Sequence, residues 1–310
     1  MVLNLISAAM SEQILRPAVV SVNAFLLQHL TSGQKRALKT TYYKLQRRVV
    51  KLLASYTPDQ LEAKFRSLGI LQNDAVLMHS GFRPFNGFQG TAGQVIECML
   101  KVIGPQGHLF MMSMAYTSSS RDYLETGRTF DVNGTVSQMG FISEIFRRRK
   151  GVLRSANPLH PVLALGPQAG RIIEGHDRVL YSCGAGSPFE KMLELNTKVL
   201  FFDVGFDCFT FVHYLEDRFK DSAPFPVYHP DLRECVIIDP EGQERRIESY
   251  VFDPETIRRR NFSVLKEALV KGGFLRRDRI GNTKLLVVRL HDALTCAQEM
   301  IDQGKHFYTA

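Results

Sequence analysis

Short, uninterrupted apolar runs recur along this chain at Ala75–His79, Leu109–Ser113, Val162–Leu165 and Val199–Val204. Runs this short, without polar alternation, predict strands buried on both faces. The stretches between them open on helix-start signals. Thr57-Pro-Asp-Gln60 supplies an N-cap, a proline at the first helical position and a glutamine at N3, predicting a helix to about Leu68. Thr91-Ala-Gly-Gln94 repeats the box and predicts a helix that Gly104-Pro105 ends, and Ser187-Pro-Phe-Glu190 predicts a third to about Leu195. Val236–Ile238 and Leu285–Leu290 read as further strands, and weak alternation over 225–250 predicts antiparallel pairing. Strands alternating with helices predict an α/β protein: a layered α/β/α domain over residues 56–310 around a mixed, largely parallel sheet. Residues 1–55 read as a basic helical extension that precedes it.

A chain of 310 residues with 45% hydrophobic and 23% charged residues can bury a substantial core and has a globular composition. The five cysteines are scattered without CxxC spacing, which argues against a disulfide scaffold or a structural zinc site and fits a reducing cytoplasm. No His/Asp/Glu cluster has metal-ligand spacing, and neither a Walker A motif nor a GxGxxG segment is present, so no metal is expected. Net charge of +8 suits an anionic partner such as a phosphorylated cofactor, but it is the sole feature pointing to nucleic acid, which is not expected. Much of the excess sits in Lys35–Lys51, Arg147–Arg154 and Arg258–Arg260, which read as solvated helix faces. Glu12, Arg16 and Pro17 interrupt the apolar N-terminus, so neither a signal peptide nor a membrane span is expected there. Residues 35–54 are basic with apolar positions at helical spacing; they suit peripheral contact with the inner membrane surface, or packing on the body or a second subunit of a homo-oligomer.

The richest chemistry follows the Val199–Val204 run. A glycine turn leads into a helix bearing Thr210, His213 and Glu216 at i, i+3 and i+6, near one face. Ligand sites in open α/β sheets gather at the carboxyl ends of strands, where this helix begins. An imidazole with a carboxylate one turn away is a candidate general base for activating an amine or hydroxyl. Asp217, at i+4, is also within reach of His213. Cys208 lies five residues before His213, which puts the two on different faces of one helix and disfavours a Cys–His nucleophilic pair.

A series of motifs then carries a resemblance. In order they are Met78-His79-Ser80-Gly81, Val102-Ile-Gly-Pro-Gln-Gly107 followed by a strand, Phe130-Asp131, Met139-Gly140, Arg147–Arg149 with Gly151-Val-Leu-Arg-Ser155, Asn157-Pro158, Ala164-Leu-Gly-Pro167, Gly184-Ala-Gly-Ser-Pro188, the Thr210/His213/Glu216 set, and Ile280-Gly-Asn282. Over roughly residues 56–300 the chain resembles the aminoglycoside 3-N-acetyltransferase family, CoA-dependent enzymes distinct from the GNAT fold. It departs from that pattern at Asn157, where the family has histidine; at Pro161, in a place the family fills with serine; at Phe209, often asparagine; and at Gly81, usually serine.

The resemblance implies transfer of acetyl from acetyl-CoA to a primary amine of an amino sugar or aminoglycoside, by direct attack. His213 is then the base and Glu216 its orienting carboxylate. Thr210 is either a donor to the thioester carbonyl or the N-cap of its helix. His79, Ser80 and Gly81, at the end of the first strand, are expected to hold the pantetheine arm of the CoA thioester. Arg154 and Ser155 are expected beside the donor, with a surface ion pair the alternative for the arginine. Asp207, Asn157, His160 and Asp217 are expected around the amine acceptor, with Asp131 and Asp203 as further carboxylates able to attract it. Two rivals remain open. One is a non-catalytic relative that binds CoA or a glycan, against which the joint presence of Thr210, His213 and Glu216 speaks. The other is an acyl-enzyme route through Cys208.

Overall fold

The computed structural model describes residues 48–309 and, before them, Thr31, Gly33 and Thr40. The chain divides into units at Leu53/Ala54. The extension read over residues 1–55, with its membrane or subunit contact, lies mostly outside the described residues. Among those described, no helix is long and apolar enough to cross a membrane.

From Ala54 onward the first half of the unit holds α1 (Pro58–Ser67), β1 (Ala75–Ser80), α2 (Ala92–Ile103), β2 (His108–Met112), α3 (Ser120–Glu125), β3 (Phe130–Asp131), α4 (Phe141–Arg147), β4 (Leu153–Arg154) and β5 (Val162–Leu165). The second half holds α5 (Ala169–Ile173), α6 (Pro188–Glu194), β6 (Lys198–Phe202), α7 (Val212–Arg218), β7 (Arg233–Ile238), β8 (Glu244–Ser249), α8 (Pro254–Arg259), α9 (Ser263–Lys271), β9 (Arg276–Ile280), β10 (Thr283–Arg289) and α10 (Leu290–Asp302).

The main sheet has the order β4-β5-β2-β1-β6-β10-β9. Its centre, β2-β1-β6, is parallel, and β5 and β10 continue it antiparallel on either side. This is the predicted mixed α/β sheet, and strand alternation shows how it separates two helical layers. Ala75 and Leu77 of β1, Phe110 of β2 and Val199 and Phe201 of β6 pack into one core with Leu215 of α7, Leu269 of α9 and Ala297 of α10. Their neighbours Val76, Met78, Leu109, Met111, Leu200 and Phe202 enter the opposite core with Phe65 of α1, Val95 and Met99 of α2 and Phe146 of α4. Both faces are dry, which is why these strands read as continuous apolar runs.

The helix starts follow local chemistry. Thr57 and Gln60 exchange hydrogen bonds at 2.9 and 3.3 Å, and Thr91 and Gln94 at 2.8 and 3.2 Å, satisfying otherwise orphaned N–H groups at the tops of α1 and α2. Gly104 then takes φ +69 at the end of α2, a conformation costly for a residue with a Cβ. Ser187 departs from expectation: its hydroxyl makes no cap bond, and Glu190 instead accepts from the Gly186 N–H at 2.8 Å. The alternation over 225–250 does give an antiparallel pair, β7 and β8, but they lie with β3 in a separate three-stranded sheet. β9, Arg-Arg-Asp-Arg-Ile, carries no apolar run because it is the sheet's edge strand and faces solvent on most positions.

Candidate active site

The carboxyl ends of β1 and β6 open onto a cleft of about 250 Å³. Its wall includes Met78, His79 and Ser80 from β1, Met111 and Met112 from β2, and Asp207, Cys208, Thr210 and His213 from the segment after β6. This is the crevice position that a doubly wound sheet dictates. Between β6 and the cleft, Asp203 takes φ +59, and its carboxylate receives the backbone N–H of Arg83 at 3.2 Å and its guanidinium at 2.5 Å. A strained residue thus turns the chain, and the loop after β1 holds it there.

His213 sits on the first turn of α7 with its side chain 19% exposed, and Glu216, one turn on, is fully enclosed. Their atoms Nδ1 and Oε2 are 2.8 Å apart. Because an ionised carboxylate only accepts, Nδ1 carries the proton and Nε2 keeps its lone pair. The other Glu216 oxygen, Oε1, accepts from Arg260 Nε at 2.9 Å. Burial pushes the Glu216 carboxyl up, but the His213 bond and the Arg260 charge outweigh it and hold the group below its usual range. Burial also pushes His213 down, the Arg260 cation pushes it further, and Glu216 offsets part of this, so the imidazole is neutral at pH 7. The base is therefore both deprotonated and held in one tautomer.

The charge pattern of the sequence puts Arg258–Arg260 on a solvated face, and for Arg260 the structure differs. Arg258 and Arg259 do pair with Glu255 on α8. Arg260 falls one residue past that helix, where extended backbone turns it inward. The chain's end fixes it there: Arg260 bridges to Tyr308, Asn261 N donates to Phe307 O at 2.7 Å, and Thr309 N donates to Arg259 O at 2.8 Å. Its guanidinium also lies 4.1 Å above the Phe252 ring.

Thr210 does not cap α7: the N-cap is Phe211, with no side-chain bond. The threonine carbonyl accepts from His213 N at 3.0 Å, and its hydroxyl, on the cleft wall, reaches only Cys208 O at 3.4 Å. On the other wall His79 is 6% exposed and its Nε2 is enclosed without a partner. Burial drives that imidazole down to about 3, so it is neutral. Gly81 continues the β1–β6 pairing through a 2.8 Å bond to Phe202 O. A Cβ there would stand 3.0 Å from Val204 Cγ1 and 3.1 Å from Asp203 O, a tight fit against the segment after β6.

Other expected site residues fall elsewhere. Arg154 is 6% exposed, stacks 4.4 Å from the Phe130 ring and donates to Thr135 O at 2.6 Å and to Ser113 O. It is a buried strut between the two sheets rather than a surface ion pair, it does not line the cleft, and burial pushes it down to about 9. Ser155 is equally interior, accepting from Val162 N at 2.9 Å and meeting His176 Nδ1 at 2.8 Å. Asn157 is wholly buried; it accepts from Leu159 N and His160 N and donates to His176 O at 3.1 Å, so it shapes a turn away from the cleft wall. His160 bonds Ser182 Oγ at 2.7 Å and places its ring 5.5 Å from that of His213, behind the base. Asp217 turns from His213 to accept from Lys220 at 3.2 Å. A Cβ on Gly184 would lie 2.6 Å from the Asp217 carboxylate, which accounts for the first glycine of Gly184-Ala-Gly-Ser-Pro188. Of the acceptor-side expectations, Asp207 alone lines the cleft. Among the described residues no His/Cys/Asp/Glu group is arranged to hold a metal.

If Arg154 is a strut, Arg154→Met takes its donors away from three carbonyls, those of Val132, Thr135 and Ser113. Stability should then fall by about 2 kcal/mol or more, while KM for acetyl-CoA stays at its wild-type value. Thermal melts and initial rates at low temperature check both.

Comparison with known proteins fits this geometry. Aminoglycoside N(3)-acetyltransferase III of Serratia marcescens is 27% identical over 205 residues, covering 61% of this chain and 73% of that one. A crystal structure of an AAC(3)-IVa variant in complex with a gentamicin superposes with a TM-score of 0.65 at 25% identity, covering 80% of this chain and 89% of that chain. The AAC-IIIb binary structure with CoASH gives a TM-score of 0.66 at 20% identity, covering 83% and 100%, a likeness of fold. The family model for aminoglycoside 3-N-acetyltransferase matches residues 77–302, most of the chain, so the protein belongs to that family, acyltransferases whose donor is acetyl-CoA.

Proposed function

We propose that the protein transfers acetyl from acetyl-CoA to a primary amine of an amino sugar or aminoglycoside by direct attack, with His213 as general base. The observation that carries this is the His213–Glu216 bond, which leaves Nε2 as the basic atom of a neutral imidazole on the cleft wall. A gentamicin complex of an AAC(3)-IVa variant among the structural relatives supports an aminoglycoside as one such acceptor.

The cleft suits the donor. Its methionine-rich wall accepts a thin, flexible pantetheine arm, and the enclosed, unpartnered His79 Nε2 offers a bond to one of that arm's amides. Ser80 stands beside it on the same wall. Bound acetyl-CoA supplies an electrophilic thioester carbonyl and a thiol leaving group. His213 Nε2 takes the proton from the amine as its nitrogen bonds to the carbonyl carbon, and returns it to sulfur as the C–S bond breaks. Glu216 and Arg260 keep the ring in place and compensate its transient charge. The Thr210 hydroxyl donates to the carbonyl oxygen as negative charge gathers there.

A cysteine route is less well supported. Desolvation and the adjacent Asp207 both push the Cys208 thiol up, away from the thiolate that an acyl-enzyme route needs. Cys208→Ser is expected to retain at least half of wild-type turnover, and intact-protein mass spectrometry under single-turnover conditions should find no acetyl adduct. An adduct on Cys208 that forms and decays at the rate of turnover would overthrow direct attack. The wider test is CoA-thiol release against a panel of aminoglycosides and nucleotide-linked amino sugars, with the acetylated amine identified by mass.

A further inference from the structure

The segment after α10 builds part of the wall behind the base. Phe307 is buried, and Tyr308 pairs antiparallel with Arg260, held by the Asn261–Phe307 and Thr309–Arg259 bonds on either side. Residues directly opposite in such a pair carry their side chains on the same side, with Cβ atoms about 4.5–5.5 Å apart. The Tyr308 ring therefore lies alongside the Arg260 side chain, which ends on Glu216 Oε1. Phe225, at 4.9 Å between ring centroids, and Phe307, at 6.4 Å, fix the tyrosine ring in place. The family match stops at residue 302, so this strap lies beyond the part of the chain that the family accounts for.

Two polar atoms of this wall are unsatisfied. Tyr308 Oη and Arg260 Nη2 are both enclosed, and neither has a hydrogen-bond partner among the described residues. An enclosed donor left unmade is costly, more so on a cation. The two groups are complementary: a guanidinium nitrogen only donates, whereas a phenol oxygen both accepts and donates. Burial pushes the Tyr308 phenol well up and the Glu216 charge adds to this, so the hydroxyl keeps its proton. Glu216 is itself buried, and its bonds to His213 and to Arg260 Nε use one site on each oxygen. A carboxylate has about four such sites, so it can accept again.

Resting on His213 as the base, we infer that Tyr308 is a positioning residue: its hydroxyl accepts from Arg260 Nη2 and donates to Glu216, closing a ring of hydrogen bonds that holds the carboxylate against the imidazole. A turn of the phenol tip makes both bonds and satisfies both enclosed atoms at once. Glu216 is then gripped from three segments: by His213 on its own helix, by Arg260 after α8 and by Tyr308 after α10. The hydroxyl turns the positive end of its dipole toward the carboxylate and so offsets part of the charge that Glu216 presents to His213. The other ionisable groups around His213 are the buried, neutral His160, whose ring is 5.5 Å away, and Asp207, Cys208 and His79 on the cleft wall. A substitution at Tyr308 leaves all of these in place.

Tyr308→Phe in the full chain removes the hydroxyl and keeps the ring. NMR of protein carrying isotope-labelled histidine, with the His213 signal assigned from His213→Ala, reads the base directly. Loss of the opposing dipole should raise the His213 pKa by about 0.5. In a Glu216→Gln background the same substitution should leave that pKa where it stands, because the effect runs through the carboxylate. The thermal midpoint should fall by about 2 °C or more, as for any lost buried bond. Release of CoA thiol with gentamicin at pH 8, where the imidazole is neutral in both proteins, should slow about threefold or more as the ring loses its alignment. The NMR and melting arms decide the matter whichever amine the enzyme takes. A midpoint at or above wild type with an unmoved His213 pKa would overturn the inference, since deleting an orphaned hydroxyl costs nothing. A lower midpoint with an unmoved pKa makes the hydroxyl merely structural and overturns it equally, as does an equal pKa rise without Glu216. Each of these leaves the base reading intact, whereas full activity in His213→Ala would sink that reading and this role together.

Discussion

His213→Ala should lower kcat for acetyl transfer by about 10²–10⁴-fold, the usual worth of a positioned general base, while the dissociation constant for CoA stays within about twofold of wild type. The separation follows from where the side chain sits. His213 is on the α7 wall of the cleft, whereas His79 and Ser80, the proposed donor contacts, come from β1 on the other wall. The ring is partly exposed, so its loss should leave the fold standing; near-wild-type far-ultraviolet circular dichroism is the control. A variant that keeps more than about half of wild-type turnover would remove His213 from the mechanism.

The second large effect comes from the groups behind the base, and its signature is opposite pH shifts. In the wild-type protein the His213 pKa lies below the ordinary 6.5, so the acid limb of kcat/KM should fall below that pH. Glu216→Gln removes the anion and leaves the Arg260 cation beside the ring. The imidazolium is then less stable, the acid limb moves down, and the amide no longer enforces the productive tautomer. Loss of an orienting carboxylate in this role can cost up to about 10⁴-fold in kcat. Arg260→Gln removes the cation and leaves all of the Glu216 charge to His213. The imidazolium is then more stable, so the acid limb moves up, and activity at pH 6 falls more than activity at pH 8. Loss of this charged hydrogen bond should also cost about 1.5–3 kcal/mol of folding stability. A purely structural Arg260 would lower stability without moving the limb, and shifts of the same sign in both variants would refute the linkage.

What could be read from the sequence was local. The central strands declared themselves because both faces are buried, and α1 and α2 because a capping box is complete within four residues. His213 and Glu216 were legible for the same reason: one turn of one helix holds both. β9 was hidden because its Arg-Arg-Asp-Arg-Ile stretch pairs on one side and meets water on the other. Arg260 was hidden because its partner is 44 residues away in sequence, and because its inward turn depends on Phe307–Thr309 at the far end of the chain. The motif order placed Arg154 and Ser155 near the donor, but order along a chain does not say which way a side chain faces. Both point into the interior, where buried carbonyls and His176 occupy them.

Direct attack assisted by His213 is tested most directly by a single-turnover time course with excess protein, radiolabelled acetyl-CoA and an accepted amino sugar. Label should pass to the amine in one phase, at the rate at which CoA thiol appears, with none on protein precipitated at any time point, and His213→Ala should slow that phase about 10²–10⁴-fold. Label that reaches the protein before the amine, or a transfer phase that is equally fast without His213, would contradict direct attack assisted by this base.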